Sequence, residues 1–325
     1  VPAMLPVYRK MHMRPATLLR VSVLAMGVLN LMPWSGPTAR AATVLGIEAS
    51  QLWSTLLPIQ AFGIALCLAH AVLAGVQERK RGAGLNGSLA QLEGEVVLDE
   101  AAQEAKNELS RPGLFAVNVL LTVAVIALLI WDKFPSYVPF MLGVAASLLI
   151  NYGFTAKAHK QIINSHAAPA LMMCSTLMGA AVLMGVLVKS VTVNEVEVAS
   201  VVTCMSNLIK MVLPAFLGRH LPIVIGILSV PLALAFDTDS YFYGMLPVMI
   251  GIGEGFGIAA LPIAVAMVVC RNCATFISPM VPATLLGVGL ADVDIKDHIK
   301  NSFPYVWGFS ILCMLVAILL GIMPL

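Results

Sequence analysis

Two proline-rich interruptions lie inside long apolar runs of this sequence, and their residue types could bind an anion within a membrane. The first reads NLMPWSGPTAR from residue 30 to residue 40, and the second reads SPMVPAT from residue 278 to residue 284. Two closely spaced prolines remove backbone donors and break a helix. N–H groups at the start of the next half-helix can then bind carboxylates. The alternative is a proline kink whose free backbone groups are satisfied by Ser and Thr.

Arginine residues accompany both interruptions. Arg40 ends the first, and because a guanidinium forks onto carboxylates, it is predicted to bind or gate an anion. The alternative is a charge that extends to the membrane surface. Arg271 precedes Asn272 beside the second interruption, where it either contacts substrate or pairs with a carboxylate. Arg20, about one turn into its apolar run, is predicted to extend to the interface.

Two carboxylates, Asp237 and Asp239, lie near the middle of an apolar stretch from 220 to 253. Such carboxylates cannot face lipid, so this stretch is predicted to be a re-entrant hairpin that lines a polar cavity. They could carry coupling protons or bind a hard cation through oxygen. The alternative is a solvated hairpin tip near the extracellular surface. Tyr241 and Tyr243 could give hydroxyls to a ligand or anchor the hairpin at the interface.

The composition indicates which elements must position these residues. The chain has 325 residues, 59% of them hydrophobic and 11% charged, with a mean hydropathy of +0.93. A soluble enzyme is therefore nearly excluded, and the lipid bilayer is the expected surrounding. Lys and Arg (19) nearly balance Asp and Glu (17), which argues against a nucleic-acid partner. The six cysteines fall mostly in apolar runs and are read as buried thiols.

Motifs of enzymes and metal sites are missing from the sequence. It has no Gly-rich phosphate loop with Lys, no HExxH and no GxSxG. The pair Cys270 and Cys273 has metal-binding spacing, but no second CxxC or His pair accompanies it. No cofactor or protein-bound metal is therefore expected. A membrane-embedded enzyme would depend only on the paired aspartates, and it is the weakest alternative.

Apolar runs predict an all-α polytopic membrane protein. The segment 193–216 is predicted to be an amphipathic interfacial helix, and 77–112 a solvated linker. Basic residues near 79–81 place that linker in the cytoplasm, and Asp292, Asp294, Asp297 and His298 are predicted to form another solvated cytoplasmic end. The candidate spans are 16–47, 52–77, 113–131, 136–152, 168–188, 220–253, 257–290 and 304–325. The basic residues predicted outside are Lys133, Lys189, Lys210 and Arg219.

An internal repeat appears when the sequence is laid over itself with an offset of 241 residues. Three blocks then match in one frame: MLPV at 4 and 245, AMxV at 25 and 266, and ATxLG at 42 and 283. The predicted topology sends the two copies across the membrane in opposite directions, as in inverted-repeat secondary transporters. The predicted division is 1–77, the later part of a first repeat, then a cytoplasmic linker 78–112, then a second repeat 113–325.

These motifs resemble the citrate/metal-complex proton symporter (CitMHS) family of the ion transporter superfamily. The similar strings are NLMPWSGPTARA from Asn30, DSYFYGMLP from Asp239 and SPMVPATLLGVGLA from Ser278. The resemblance implies uptake of citrate as a complex with a divalent cation of the Mg or Ca type, coupled to protons. By position it implies Asp237 and Asp239 as proton or cation coupling residues. The implied substrate-binding residues are Asn30, Ser35, Gly36, Pro37, Thr38, Arg40, Asn272, Ser278, Pro279, Pro282 and Thr284.

One family motif, an acidic and Thr-rich first hairpin ahead of MLPV, does not occur in the sequence. We therefore expect that about 130 residues, including that hairpin and its scaffold, precede residue 1 in a full-length relative. An incomplete, inactive membrane fragment is one alternative function. A carrier of another organic anion of the superfamily is a second. The expected location is the inner cell membrane, as a multi-pass protein, and a homodimer is a possible assembly.

Overall fold

A computed structural model describes residues 1, 4–84, 111–131, 134, 137–193 and 196–324. The described chain is almost entirely helical and has one small β-hairpin. Two compact units arise, one from residues 1–96 and 184–325 and the other from 97–183. Residues 85–110 of the predicted linker lie outside the described residues.

Four helices cover the first part of the chain: α1 (Leu5–Lys10), α2 (Pro15–Leu29), α3 (Gly36–Leu45) and α4 (Ala49–Lys80). Pro15 and Pro37 lie in the first turns of α2 and α3, where a missing N–H costs no helical hydrogen bond. Helix α3 ends at Gly46, whose φ of +68° suits glycine. The predicted span 16–47 is therefore two half-helices separated by residues 30–35.

The unit 97–183 contains α5 (Phe115–Trp131), α6 (Tyr137–Tyr152) and most of α7 (Ala156–Val188). The side-chain amides of Asn118 and Asn151 exchange hydrogen bonds of 2.9 and 2.8 Å, which join α5 to α6. These bounds agree with the spans predicted at 113–131 and 136–152. Helix α7 begins earlier than its predicted span at 168.

The segment after α7 differs from its prediction as a single amphipathic helix over 193–216. Val191–Val193 (β1) and Val196–Val198 (β2) pair antiparallel, and only then does α8 (Val201–Val212) begin. Ser200 caps α8 by accepting the N–H of Thr203 at 3.2 Å. The short α9 (Ala215–Arg219) follows Pro214. Valine-rich sequence and a true N-cap explain the later helix start.

The last part of the chain contains α10 to α14. The predicted re-entrant stretch is two helices, α10 (Leu221–Ala235) and α11 (Leu246–Glu254), joined through Asp237–Asp239 and a π-helical turn, Ser240–Met245. Next come α12 (Ala260–Ala274), a 3₁₀ turn and α13 (Pro282–Ala291), so the second predicted interruption is also a helix break. Helix α14 (Ile295–Leu319) is the last described helix.

Helix α12 lies at the centre of the larger unit. Every residue from Ile263 to Ala274 is buried, as expected for a helix that is apolar on all sides. Helices α2, α10 and α14 pack around it. Three helical runs of the described chain are long and apolar enough to cross a bilayer: Ala49–Lys80, Ala260–Ala291 and Ile295–Leu319.

A buried carboxylate ties the start of α2 to the end of α4. Glu78 accepts hydrogen bonds from Arg14 Nε (2.7 Å), Thr17 Oγ1 (2.7 Å) and Arg81 Nη2 (3.0 Å).

Arg20, which is 3% exposed, donates to Gln77 at 3.2 Å and lies over the ring of Tyr305. The prediction that Arg20 extends to the interface is therefore wrong, because polar and aromatic partners on α4 and α14 cover it.

Candidate functional site

The first break is organised around one main-chain oxygen. Helix α2 ends at Leu29, and the carbonyl oxygen of Asn30 accepts hydrogen bonds from the hydroxyls of Ser35 and of Thr38, the latter at 3.2 Å. Ser35 occupies the N-cap position of α3, but its hydroxyl turns toward Asn30 and does not cap the helix. The first N–H groups of α3 are thus left without a side-chain cap.

The second break has the same general construction. After α12 and a 3₁₀ turn at Thr275–Ile277, the buried Ser278 hydroxyl accepts the N–H of Met280 at 3.2 Å. Helix α13 then begins at Pro282, again without a side-chain cap. The hydroxyl of Thr284 is buried and has no hydrogen-bond partner within the described residues.

The two breaks touch through the side chain of Asn272. Its Nδ2 donates to the carbonyl oxygen of Asn30 at 3.0 Å, although the two residues are 242 positions apart. Its Oδ1 is buried and finds no partner in the described part of the chain. Gly27 allows this approach, because a Cβ there would lie 2.8 Å from the Asn272 carbonyl oxygen.

Gln60 holds the same end of α2 from the other side. Its Nε2 donates to the carbonyl oxygen of Val28 at 3.1 Å, and its Oε1 accepts from Trp53 Nε1 at 2.7 Å. Sequence reasoning missed this residue. The available signal was a polar amide, 2% exposed in the structure, within an otherwise apolar span.

Arg40 on α3 forms an ion pair with Asp239 at the start of the π-helical turn. The side chains of Arg40 and Asp239 are 13% and 35% exposed, so the rest of the protein covers the pair only in part. The guanidinium folds back along α3, where a Cβ at Gly36 would collide with it. Arg40 thus places its charge beside the uncapped start of α3 and in contact with a carboxylate.

Asp237, the other carboxylate of the turn, is used locally. It accepts the main-chain N–H groups of Asp239 at 3.0 Å and of Ser240 at 3.4 Å. Such bonds stabilise the start of the π-helical turn. Asp237 and Asp239 therefore differ in their surroundings, a distinction that the sequence did not predict.

Arg271 and Tyr241 are more deeply buried than predicted. Arg271 is fully buried and donates to Thr275 Oγ1 at 3.1 Å and to the carbonyl oxygen of Phe236 at 3.3 Å. It therefore supports the end of α10 through the main chain. Arg271 forms no ion pair with a carboxylate of the described residues. Tyr241, also fully buried, shares a 2.6 Å hydrogen bond with Ser229 and is not an interfacial anchor.

His298 also departs from its prediction. It was expected at a solvated end, yet it is 1% exposed and its Nε2 lies 3.2 Å from the carbonyl oxygen of Phe276.

Most of the predicted site residues lie in or next to the two breaks. Among the described residues, no hydrogen bond links Ser278 or Thr284 to the first break.

Comparison with known proteins gives three similar transporters of Bacillus subtilis (strain 168). A citrate transporter is 32% identical over 324 residues, which cover 99% of this chain and 71% of that protein. A Mg(2+)/citrate complex secondary transporter is 30% identical over 319 residues, with coverage of 98% and 70%. An uncharacterized transporter, YraO, is 28% identical over 329 residues, with coverage of 99% and 71%. No protein-family model and no solved structure matches the chain.

The apolar helical fold and these relatives define the class of the protein. It is a multi-pass membrane transport protein and not an enzyme, as its composition and motifs predicted. Within that class, the chain belongs to the family of these citrate transporters, which is the CitMHS family that its break motifs resemble.

Proposed function

We propose that the chain is a secondary active transporter that takes up citrate as a complex with a divalent cation, driven by protons, across the inner cell membrane. One observation carries this proposal: Arg40, at the first helix break, already binds a carboxylate, that of Asp239. A guanidinium that accepts one carboxylate in this position has the chemistry to accept another from substrate. The names of the relatives support citrate as the source of that carboxylate.

The electrostatics of the breaks favour an anion. Helices α3 and α13 start at the two breaks without side-chain caps, so their first N–H groups and positive dipole ends are available. Complexation with a divalent cation hides part of the charge of trivalent citrate, which lowers the cost of its passage. Among the described residues, no group of three His, Cys, Asp or Glu could hold a metal ion. The name of one relative, a Mg(2+)/citrate complex secondary transporter, supports a cation that travels as part of the substrate.

Exchange of partners at Arg40 supplies a route to coupling. When a citrate carboxylate takes the guanidinium, Asp239 loses its counter-ion while still partly buried. The released carboxylate can then bind a cationic partner in place of the guanidinium. Asp239 is therefore the proposed coupling residue, and Asp237, engaged with main-chain N–H groups, is the second candidate.

The proposal extends to the architecture. Residues 1–77 and 113–325 are proposed to be two inverted repeats, and 220–253 a re-entrant hairpin that carries Asp239 to the break. The break residues Asn30, Ser35, Gly36, Pro37 and Thr38 would face substrate together with a second set from the other repeat. That set is Asn272, Ser278, Pro279, Pro282 and Thr284. A homodimer is the proposed assembly.

Uptake by purified protein in liposomes tests the function. Labelled citrate should enter when the outside is acidic, more rapidly with Mg²⁺ or Ca²⁺ present, and a protonophore should abolish accumulation. Citrate uptake that is indifferent to both cations and to the protonophore would overturn the proposal. Preference for another organic anion in a competition panel would instead identify that anion as the substrate.

A further inference from the structure

A polar cavity lies between α8 and α11, apart from the two breaks. It has a volume of about 500 Å³. Helix α8 contributes hydroxyl, amide and ammonium groups, and α11 contributes a carboxylate near its end. The polar lining residues are Ser200, Thr203, Ser206, Asn207, Lys210 and Glu254.

Close packing of α8 on α11 shapes this cavity. The hydroxyl of Ser206 donates to the carbonyl oxygen of Val248 at 3.1 Å, and a Cβ at Gly251 would lie 2.5 Å from the same hydroxyl. One turn later, the end of the Lys210 side chain lies over Gly255, where a Cβ would collide with it. The ammonium is thus at the C-terminal end of α11, where the helix dipole favours a positive charge.

Lys210 and Glu254 line one cavity without neutralising each other. In the part of the chain that the structure describes, neither forms an ion pair. One unpaired ammonium and one unpaired carboxylate suit a ligand that presents both signs of charge. A divalent cation complexed by a polycarboxylate is such a ligand, because its free carboxylate fits Lys210 and its hydrated cation fits Glu254.

The cavity adjoins the elements that carry the Arg40–Asp239 pair. Val44 lines it from α3, and Val44 is one turn beyond Arg40 on the same face of that helix. Pro247 lines it from α11, four residues after Tyr243 in the π-helical turn. A ligand in the cavity would therefore contact α3 and α11, and both are next to the Arg40–Asp239 ion pair.

We propose that this cavity is a docking site where an anionic metal–carboxylate complex binds before it reaches Arg40. Lys210 is predicted to lie on the extracellular side of the membrane, so the docking site is on the entry side for uptake. The inference depends on the proposed function, because it assigns an earlier position on the same route. The phosphate and ammonium of a zwitterionic phospholipid headgroup present the same two charges. The experiment below distinguishes such a lipid from the metal–carboxylate complex.

Three variants in liposomes test the docking site: Lys210→Gln, Lys210→Arg and the control Arg219→Gln. Arg219 is an exposed basic residue on α9 that does not line the cavity. We expect Lys210→Gln to raise the KM for Mg–citrate by about tenfold with little change in the maximal rate, since one charge-assisted contact is lost. Lys210→Arg should restore most of the affinity, and the control should resemble wild type.

Other results would contradict the docking site, as follows. A lower maximal rate with unchanged KM in Lys210→Gln would mean that Lys210 only stabilises the end of α11, and would overturn the docking site. So would an effect of the substitution that appears only with phosphatidylethanolamine in the liposomes, because lipid would then be the occupant. Calorimetric binding of Mg–citrate to wild type separates the two proposals. Absence of both binding and uptake refutes both, whereas normal uptake with an unaltered Lys210→Gln KM refutes only the docking site.

Discussion

The guanidinium of Arg40 has three neighbours that define its chemistry: the Asp239 carboxylate, the backbone at Gly36 and the uncapped start of α3. The guanidinium and the N–H groups at the start of α3 favour a negative charge at this place, and the Asp239 carboxylate supplies one. The pair with Asp239 is only partly covered, so an incoming carboxylate can reach it. A lysine could supply charge there, but not the planar fork that binds two carboxylate oxygens at once.

Replacing Arg40 by Ala should reduce citrate uptake severely, by about 100-fold or more in kcat/KM, because the charge that meets substrate is lost. Arg40→Lys should retain a fraction of the activity. Membrane insertion should be unchanged, as judged by yield and by size-exclusion elution. Uptake kinetics in Arg40→Ala that match those of wild type would remove its assigned role.

At the scale of elements, the contact of α2 with α12 joins the two breaks. Gly27 brings the helices together, and Asn272 then reaches the carbonyl oxygen of Asn30. Small residues that permit close helix approach are a common device in membranes. The separation of α2 from α12 therefore decides whether the breaks remain in contact.

Gly27→Ala should separate these helices. The added Cβ would meet main-chain atoms, the Asn272 carbonyl oxygen at 2.8 Å and Cys273 Cα at 3.0 Å, which cannot rotate away. We expect a loss of about 1–3 kcal/mol in stability and a fall in transport, measured by thermal unfolding in detergent and by uptake. Gly308→Ala on α14 is the matched control, because its Cβ meets nothing within 4 Å. Equal unfolding temperatures for the two variants would contradict the packing argument.

The sequence predicted where helices occur and break better than which side chains they cover. Proline spacing predicted both breaks, since proline acts through its own backbone. The burial of Arg20, Arg271 and His298 was not predicted, because it depends on how the helices pack; the partners of Arg20, for example, are Gln77 and Tyr305, far away in sequence. Ser200 capping α8 after a short hairpin was missed for a similar reason: valines at 191–198 favour strand as readily as apolar helix.

At the scale of the whole molecule, burial divides the six free cysteines. Cys270, Cys273 and Cys313 are buried around α12 and α14, Cys174 and Cys204 are exposed, and Cys67 is intermediate. The expectation of buried thiols therefore holds for half of them. The three buried thiols lie on α12 or on α14, which packs against it, whereas α7 and α8, which carry Cys174 and Cys204, expose apolar residues such as Leu171 and Leu208.

Thiol labelling should follow this division. A membrane-permeant maleimide should modify Cys204 in the folded protein and leave Cys270, Cys273 and Cys313 unmodified until denaturant is added. Mass spectrometry of peptides identifies the sites. Rapid labelling of Cys270 in the native state would show that α12 is not enclosed as described.

The hydrogen bond from Asn272 to Asn30 has a consequence for biosynthesis. Residue 30 leaves the ribosome long before residue 272. Until Asn272 is synthesised, the carbonyl oxygen of Asn30 can accept hydrogen bonds only from Ser35 and Thr38 among these three partners. The hydroxyls next to the break thus act as temporary partners during insertion. Nascent chains arrested before α12 should remain open to quality-control proteases, and resistance should appear only once residue 272 has entered the bilayer.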